Sequence, residues 1–303
     1  MNHKKVTLQI PAIAANLGPG YSMMSLALTL YNEFLIEEIE SGLQITNSGQ
    51  YGKQVPVSQK NLVYRAACKL FEKVGYKCPG LRIVSRCNIP QNRGLASSTT
   101  AVIAGLIAAN RISMAALDRT EISAIASELG EDPEVVSCTM LGGLTMTVVT
   151  DNGPLFIRLP FPDKMDIILA IPDFQVSSRE FKINVPRKID IEDVIFNSGR
   201  LGLLIAGLYC GETDILSMGL EDKIHFPSLK KKIPALSEID LISKTNGALG
   251  GSICGEGSSF IIFFKENGKD IAKRVREAFK RFRMKVRVLK VNVDTGGTII
   301  GQD

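Results

Sequence analysis

Tryptophan is absent from this chain, and histidine occurs only twice. The six cysteines, at 68, 78, 87, 138, 210 and 254, form no Cys-x-x-Cys pair. A zinc centre therefore has little to draw on, and the spacing suits reduced, buried thiols better than a disulfide framework. No apolar run approaches the ~20 residues that cross a bilayer. The opening Met1-Asn2-His3-Lys4-Lys5 runs into a strand pattern with no signal-peptide apolar core. The expectation is a soluble, cytoplasmic protein without a membrane partner. The nucleotide loop Gly-x-x-x-x-Gly-Lys-Ser/Thr is also missing. Charge is nearly balanced, with 36 basic and 31 acidic residues for a net of +5, and a hydrophobic content of 45% excludes a disordered chain. The one basic concentration, residues 269–289, has amphipathic helical spacing but no aromatic-plus-basic recognition motif. It reads as a solvated helix face, and no nucleic-acid partner is expected.

What the chain does have is the stretch Pro90-Gln91-Asn92-Arg93-Gly94-Leu95-Ala96-Ser97-Ser98-Thr99-Thr100-Ala101. Leu81 to Val84 before it alternates as a strand, and Ala101 to Asn110 after it is helical in composition. A loop that opens a helix in this way aims unpaired backbone N–H groups and the positive end of the helix dipole at one spot, which suits a phosphate. The alternative is an ordinary well-capped helix after a tight turn.

Pro90-x-x-x-Gly94-Leu95-x-Ser97-Ser98 resembles the phosphate loop of the GHMP small-molecule kinases, written Pro-x-x-x-Gly-Leu-Gly-Ser-Ser-Ala-Ala. Ala96 stands where that pattern has a glycine, which is compatible with close backbone approach if φ at 96 is negative. Pro11-Ala12-Ile13-Ala14-Ala15-Asn16-Leu17-Gly18-Pro19-Gly20-Tyr21 is similar to the opening of homoserine kinases, and Asn61-Leu62-Val63 also has a counterpart there. Further matches fall in order along the whole chain, at Pro172-Asp173-Phe174, Val194 to Asn197, Glu221 to His225 and Gly247 to Gly250. The resemblance implies an α+β fold of two domains. The first, residues 1–150, would be a ribosomal-protein-like nucleotide-binding domain, and the second, residues 151–303, a ferredoxin-like sandwich. Alternating strands and helices with hairpins independently favour two layers over a doubly wound sheet. Asp151-Asn152-Gly153-Pro154 is a turn signal at the expected boundary.

The same resemblance implies an ATP-dependent kinase acting on the hydroxyl of a small molecule, homoserine-kinase-like, with ATP and magnesium as cofactors. The expected nucleotide contacts are Asn61, Pro90, Gln91, Asn92, Arg93, Gly94, Leu95, Ala96, Ser97, Ser98, Thr99 and Thr100. Ser98 and Glu128 are the expected catalytic and magnesium-side residues. Asn61, taken alone, is as well explained as a helix cap. Acceptor contacts fall on Asn16, Ser22, Asp132, Val135 and Arg200, of which Arg200 suits a carboxylate.

Several of these positions depart from the family pattern. Ser22 replaces an aspartate. Glu-Gly-His-Pro-Asp-Asn becomes Gly130-Glu131-Asp132-Pro133-Glu134-Val135, Leu229 replaces an arginine, and Glu256 enters the glycine-rich turn. These changes sustain a second reading, a nucleotide-binding regulatory protein that keeps the fold without turnover. A homodimer is left open.

Overall fold

The structure, a computed structural model, describes residues 4–151, 153–174, 186, 188–230, 235–245 and 247–301. The side chains of 228 and 229 lie outside that description, and with them the expectation attached to Leu229.

Two long strands carry the first sheet. β1 (Lys5–Leu17) and β2 (Gly20–Glu38) pair antiparallel, with register shifts at Pro11/Ala12 and Ala15/Leu17. β1 runs through Pro11. A residue without an N–H is tolerated where the ladder is irregular. β3 (Gly42–Ser48) lies parallel to β4 (Gly80–Cys87), and β5 (Leu144–Thr150) forms a hairpin with β6 (Gly153–Leu159). The sheet has seven strands and is ordered β11-β1-β2-β4-β3, with β5 on β2 and β6 on β5; β11 is Ile299–Ile300. Gly153 and Pro154 pair with Thr150 and Val149, so the expected domain boundary falls between two strands of this one sheet. The second sheet is ordered β10-β7-β9-β8, from β7 (Asp166–Pro172), β8 (Ala248–Ile253), β9 (Phe260–Phe264) and β10 (Val286–Val291).

Helices α1 (Leu62–Lys73), α2 (Ser97–Ser113), α3 (Arg119–Glu128) and α4 (Pro133–Leu141) cover the first sheet. α2 is apolar nearly all round, the pattern of a helix buried in a core. Gly105 lets it approach α1 closely, since a Cβ there would lie 2.2 Å from the Val63 carbonyl oxygen. In the second half follow α5 (Ile191–Cys210), α6 (Thr213–Gly219), α7 (Phe226–Lys230), α8 (Ala235–Ile242) and α9 (Gly268–Arg281). β7 is buried on both faces. Ile167, Leu169 and Ile171 pack toward Ala12 and Leu26 of the first sheet, while Ile168 and Ala170 pack toward α8 and α9. That period-two division is why the segment reads as a continuous apolar run. The basic helix α9 ends at Arg281, and only Ile271, Val275, Ala278 and Phe279 are buried from it.

Candidate active site

The loop between β4 and α2 is fixed from beneath. Gly94 has φ +75°, and a Cβ on it would lie 1.8 Å from the Cys254 carbonyl oxygen. Gly257 packs reciprocally, 2.0 Å from the Arg93 carbonyl carbon by the same construction, and Ser259 N–H donates to the Arg93 carbonyl at 3.1 Å. Asn32, a residue the sequence did not single out, braces the loop further. Its Oδ1 accepts from the Asn88 and Ile89 amides at 2.8 and 3.0 Å, and its Nδ2 donates to Thr100 Oγ1 at 2.9 Å.

Helix α2 begins without a side-chain cap, so the amides of Ser97, Ser98 and Thr99 are left to open into the cavity above them. Its N-cap residue, Ala96, is left-handed at φ 58° and ψ 31°, so the condition of a negative φ is not met. The left-handed region costs alanine about 1–2 kcal/mol, part of which glycine would return through its more flexible unfolded chain. Ala96→Gly should therefore raise stability in denaturant titration by roughly 0.5 kcal/mol. A less stable variant would show instead that the methyl contacts with Ile13, Ala27 and Cys138 outweigh the strain.

Of the expected nucleotide residues, Asn61, Pro90, Gln91, Asn92, Gly94, Leu95, Ala96, Ser97, Ser98 and Thr99 line one cavity of about 560 Å³. Arg93 and Thr100 do not, which corrects both expectations. Arg93 donates from Nε to the Pro172 carbonyl at 2.8 Å and from its terminal nitrogen to the Asp173 carbonyl at 2.6 Å, tying the loop to the end of β7. Thr100 is buried and bonds to Ser97 O and Asn32. Ser98 is exposed in the cavity, while Ser97 donates to the Ile89 carbonyl at 3.2 Å. Asn61 caps α1, its Oδ1 accepting from Val63 N at 2.9 Å and Tyr64 N at 3.4 Å.

The structure does not bring Glu128 to this cavity. It ends α3 on the outside of the molecule, paired with Lys73 at 2.7 Å and Lys69 at 3.3 Å. Lys73, with Lys69 behind it, holds its carboxyl below the usual range. A carboxylate that does reach the phosphate loop is Glu131. Gly130, at φ +90°, turns the chain after α3 and directs Glu131 back to the loop, where it accepts a hydrogen bond from Thr99 Oγ1. Burial raises the Glu131 carboxyl pKa against the lowering effect of that bond. Asp132, Glu134, Val135 and Glu256 line the same cavity, with Lys60 as its lysine. Among the described residues no group of three or more metal-ligating side chains is gathered. A cation here would take one or two protein oxygens and the rest from phosphate and water, the usual habit of magnesium.

A second cavity, of about 680 Å³, opens between the N-terminal loop and α5 to α8. Asn16 and Gly255 line both cavities, so the two meet at those residues. Asn16 is itself left-handed, with its Oδ1 accepting from Ser22 N at 2.8 Å. Ser22 lines neither cavity. Nor does Arg200, whose Nε donates to Glu221 Oε2 at 2.8 Å. These two expectations are corrected: Ser22 shapes the turn and Arg200 is committed to an ion pair. Asp132 and Val135 belong to the first cavity, not to the second. The walls of the second carry residues the sequence did not single out for binding. Tyr21 and His225 stack at 4.1 Å and 6°, and Asp240 binds Lys230 at 3.1 Å and Lys244 at 3.0 Å.

Residues 61–142 match the GHMP kinases N terminal domain model. The chain is 31% identical over 295 residues to a homoserine kinase of Clostridium botulinum, covering 97% of this chain and 98% of that one. It is 32% identical over 297 residues to a homoserine kinase of Caldicellulosiruptor saccharolyticus, covering 97% and 96%. The chain belongs to the GHMP kinases. A crystal structure of homoserine kinase from Cytophaga hutchinsonii superposes on this GHMP kinase with TM-score 0.87 at 22% identity, over 98% of this chain and 97% of that one. A mevalonate kinase from L. major in complex with R-mevalonate gives TM-score 0.70 at 14% identity, over 98% and 97%. At those identities the superpositions speak to the fold, which is the two-sheet GHMP architecture described above. No helix among the described residues of this GHMP kinase is long and apolar enough to cross a membrane.

Proposed function

We propose that this chain transfers the γ-phosphoryl group of ATP to the hydroxyl of a small acceptor, homoserine being the first candidate. The observation that carries this reading is the junction of the two cavities at Asn16 and Gly255, with an uncapped helix N-terminus in one of them. Phosphoryl transfer needs little covalent work from a protein. It needs the phosphates held, their charge spread and the acceptor oxygen in line. The amides of Ser97 to Thr99 and the α2 dipole hold the phosphates. Ser98 Oγ and the Glu131 carboxylate are the groups that would hold magnesium, in place of the expected Ser98 and Glu128. Magnesium held there would supply positive charge to offset the negative charge that develops during transfer. The Asn16 side-chain N–H groups are donors available at the junction, since its Oδ1 is already engaged by Ser22.

With Arg200 paired to Glu221, the acceptor's anionic group falls to Lys230 and Lys244. Asp240 fixes both ammonium groups on the wall of the second cavity and leaves each with further protons to donate. A charge-assisted hydrogen bond contributes about 1.5–3 kcal/mol. Lys230→Met should therefore raise the KM for homoserine by about 10- to 100-fold while leaving the KM for ATP unchanged. The function itself is tested by ADP release against a panel of hydroxylated amino acids and polyols, homoserine first. Stimulation by another acceptor alone would retire homoserine. ATP binding with no stimulation by any acceptor would favour the regulatory reading.

A further inference from the structure

For homoserine alone the second cavity is oversized. Its volume of about 680 Å³ falls in the range that encloses drug-sized ligands, and a four-carbon amino acid would fill a small part of it. Much of the wall is apolar or aromatic, with Phe196, Met218, Phe226 and Pro227 beside the flat stack of Tyr21 on His225. Phe226 is backed by Phe260, the ring centres 6.1 Å apart, and Lys230 Nζ lies 5.7 Å from the Phe226 ring centre. A ligand with its anionic group on Lys230 and Lys244 would thus have an aromatic face alongside it.

The charges on the same wall are one-sided. Among the described residues three carboxylates line it, and each is already matched. Glu221 pairs with Arg200 at 2.8 Å, and Asp240 lies between Lys230 and Lys244. Asp222, its side chain 6% exposed, accepts from Asn197 Nδ2 at 2.8 Å and from the amides of Ile224, His225 and Phe226 at 2.8, 3.1 and 2.8 Å. Lys223 makes no ion pair among the described residues, and its Nζ sits 4.2 Å from the Phe196 ring centre. An α-ammonium group entering here would meet three lysines and no unmatched carboxylate. A cation taken out of water without a partner is penalised, and like charges add to the cost. Ser22, where the family pattern has an aspartate, lines neither cavity. The carboxylates of the first cavity share it with the phosphate loop, across the junction at Asn16 and Gly255.

We propose that the second cavity takes an anionic alcohol with an apolar or aromatic body and no free amine, homoserine filling only its anion-binding corner. The proposal rests on this cavity being the acceptor side of the proposed kinase. The anionic group binds Lys230 and Lys244, the body covers Phe226 and the Tyr21–His225 stack, and the hydroxyl reaches Asn16 and Gly255. The reaction is the one already described. The acceptor oxygen bonds to the γ-phosphorus, the bond from that phosphorus to the β-phosphate oxygen breaks, ADP leaves with the electron pair, and the hydroxyl proton passes to solvent.

The test uses the full chain with magnesium and ATP, and compares L-homoserine, N-acetyl-L-homoserine and N-benzoyl-L-homoserine as acceptors in ADP release. Acetylation removes the ammonium charge, and the benzoyl group adds the aromatic body. The expected kcat/KM is at least about 3-fold above homoserine for the acetyl compound, and about 10-fold higher again for the benzoyl compound. Homoserine equal to or better than the acetyl compound would show the amine being bound and overturn the proposal. A benzoyl compound no better than the acetyl one would overturn it too, because the apolar wall would then be idle. Calorimetric titration of the three compounds, with magnesium and a non-hydrolysable ATP analogue present, reads the same order without turnover. That order in binding, with ADP release from none of them, would defeat the kinase reading and leave the ligand class standing. Binding of none of the three would overturn the proposal. Lys244→Met should weaken both acyl compounds alike, by about 10-fold, and unchanged affinities would place them outside this cavity and overturn it.

Discussion

Gly94→Ala should weaken ATP binding by at least about 100-fold while the chain still folds. Two independent costs converge on the single added methyl. The φ of +75° is unfavourable for any L side chain, by about 1–2 kcal/mol. The methyl would also lie 1.8 Å from the Cys254 carbonyl oxygen, in a contact between two backbone segments where no flexible side chain can give way. Either the loop lifts from the turn at 254–257 or that turn moves. Both carry cavity-lining residues, Leu95 to Thr99 on one side and Gly255 with Glu256 on the other. A misplacement of about an ångström is enough to lose a hundredfold at a preorganised site. Circular dichroism and ATP calorimetry on one preparation separate loss of fold from loss of binding. Unchanged ATP affinity in a folded variant would place the phosphates elsewhere.

Glu131→Gln is the second large effect. The substitution keeps the shape and the Thr99 contact but removes the charge that a divalent cation needs. Metal stabilisation of the transferring phosphoryl group amounts to several kcal/mol, so kcat should fall by at least about 100-fold. Binding of nucleotide without metal should change little, or improve as a negative charge leaves the cavity. Glu128→Gln is the matched control. It should leave turnover within about twofold and lose only the surface contacts with Lys69 and Lys73, which contribute little. Reversal of the two results would return the metal role to Glu128.

The contrast between these glutamates shows how far the sequence could be read. The phosphate loop, the Asn61 cap and the strands Leu81 to Val84 and Asp166 to Pro172 are local patterns, set by caps, glycines and period-two burial, and they are visible in the chain. Glu128 and Glu131 differ only in which side of one turn they leave by. That is decided by the φ of Gly130 and by where Thr99 and Lys73 lie in space, and no spacing rule holds that information. The same is true of Arg93, which looks like a phosphate ligand in a phosphate loop until the end of β7 is placed beside it. Arg200 looks free for a carboxylate until Glu221, on the far side of α6, is seen to claim it. The second cavity was the least legible part. Tyr21, His225, Lys230 and Lys244 come from separate segments and share a wall only after the two sheets pack. The backbone of Ala96 was illegible for another reason: the loop imposes a left-handed residue where propensity would not put an alanine, a strain of the kind that gathers at functional sites.

The most direct test is a crystal structure of the full chain with magnesium, a non-hydrolysable ATP analogue and homoserine. The account predicts the phosphates against the amides of Ser97 to Thr99, with the cation between Ser98 and Glu131. It places the γ-phosphate at the junction of Asn16 and Gly255, and homoserine on the other side with its carboxylate toward Lys230 and Lys244. A cation bound at Glu128, or phosphates seated in the cavity of Tyr21 and His225, would contradict it.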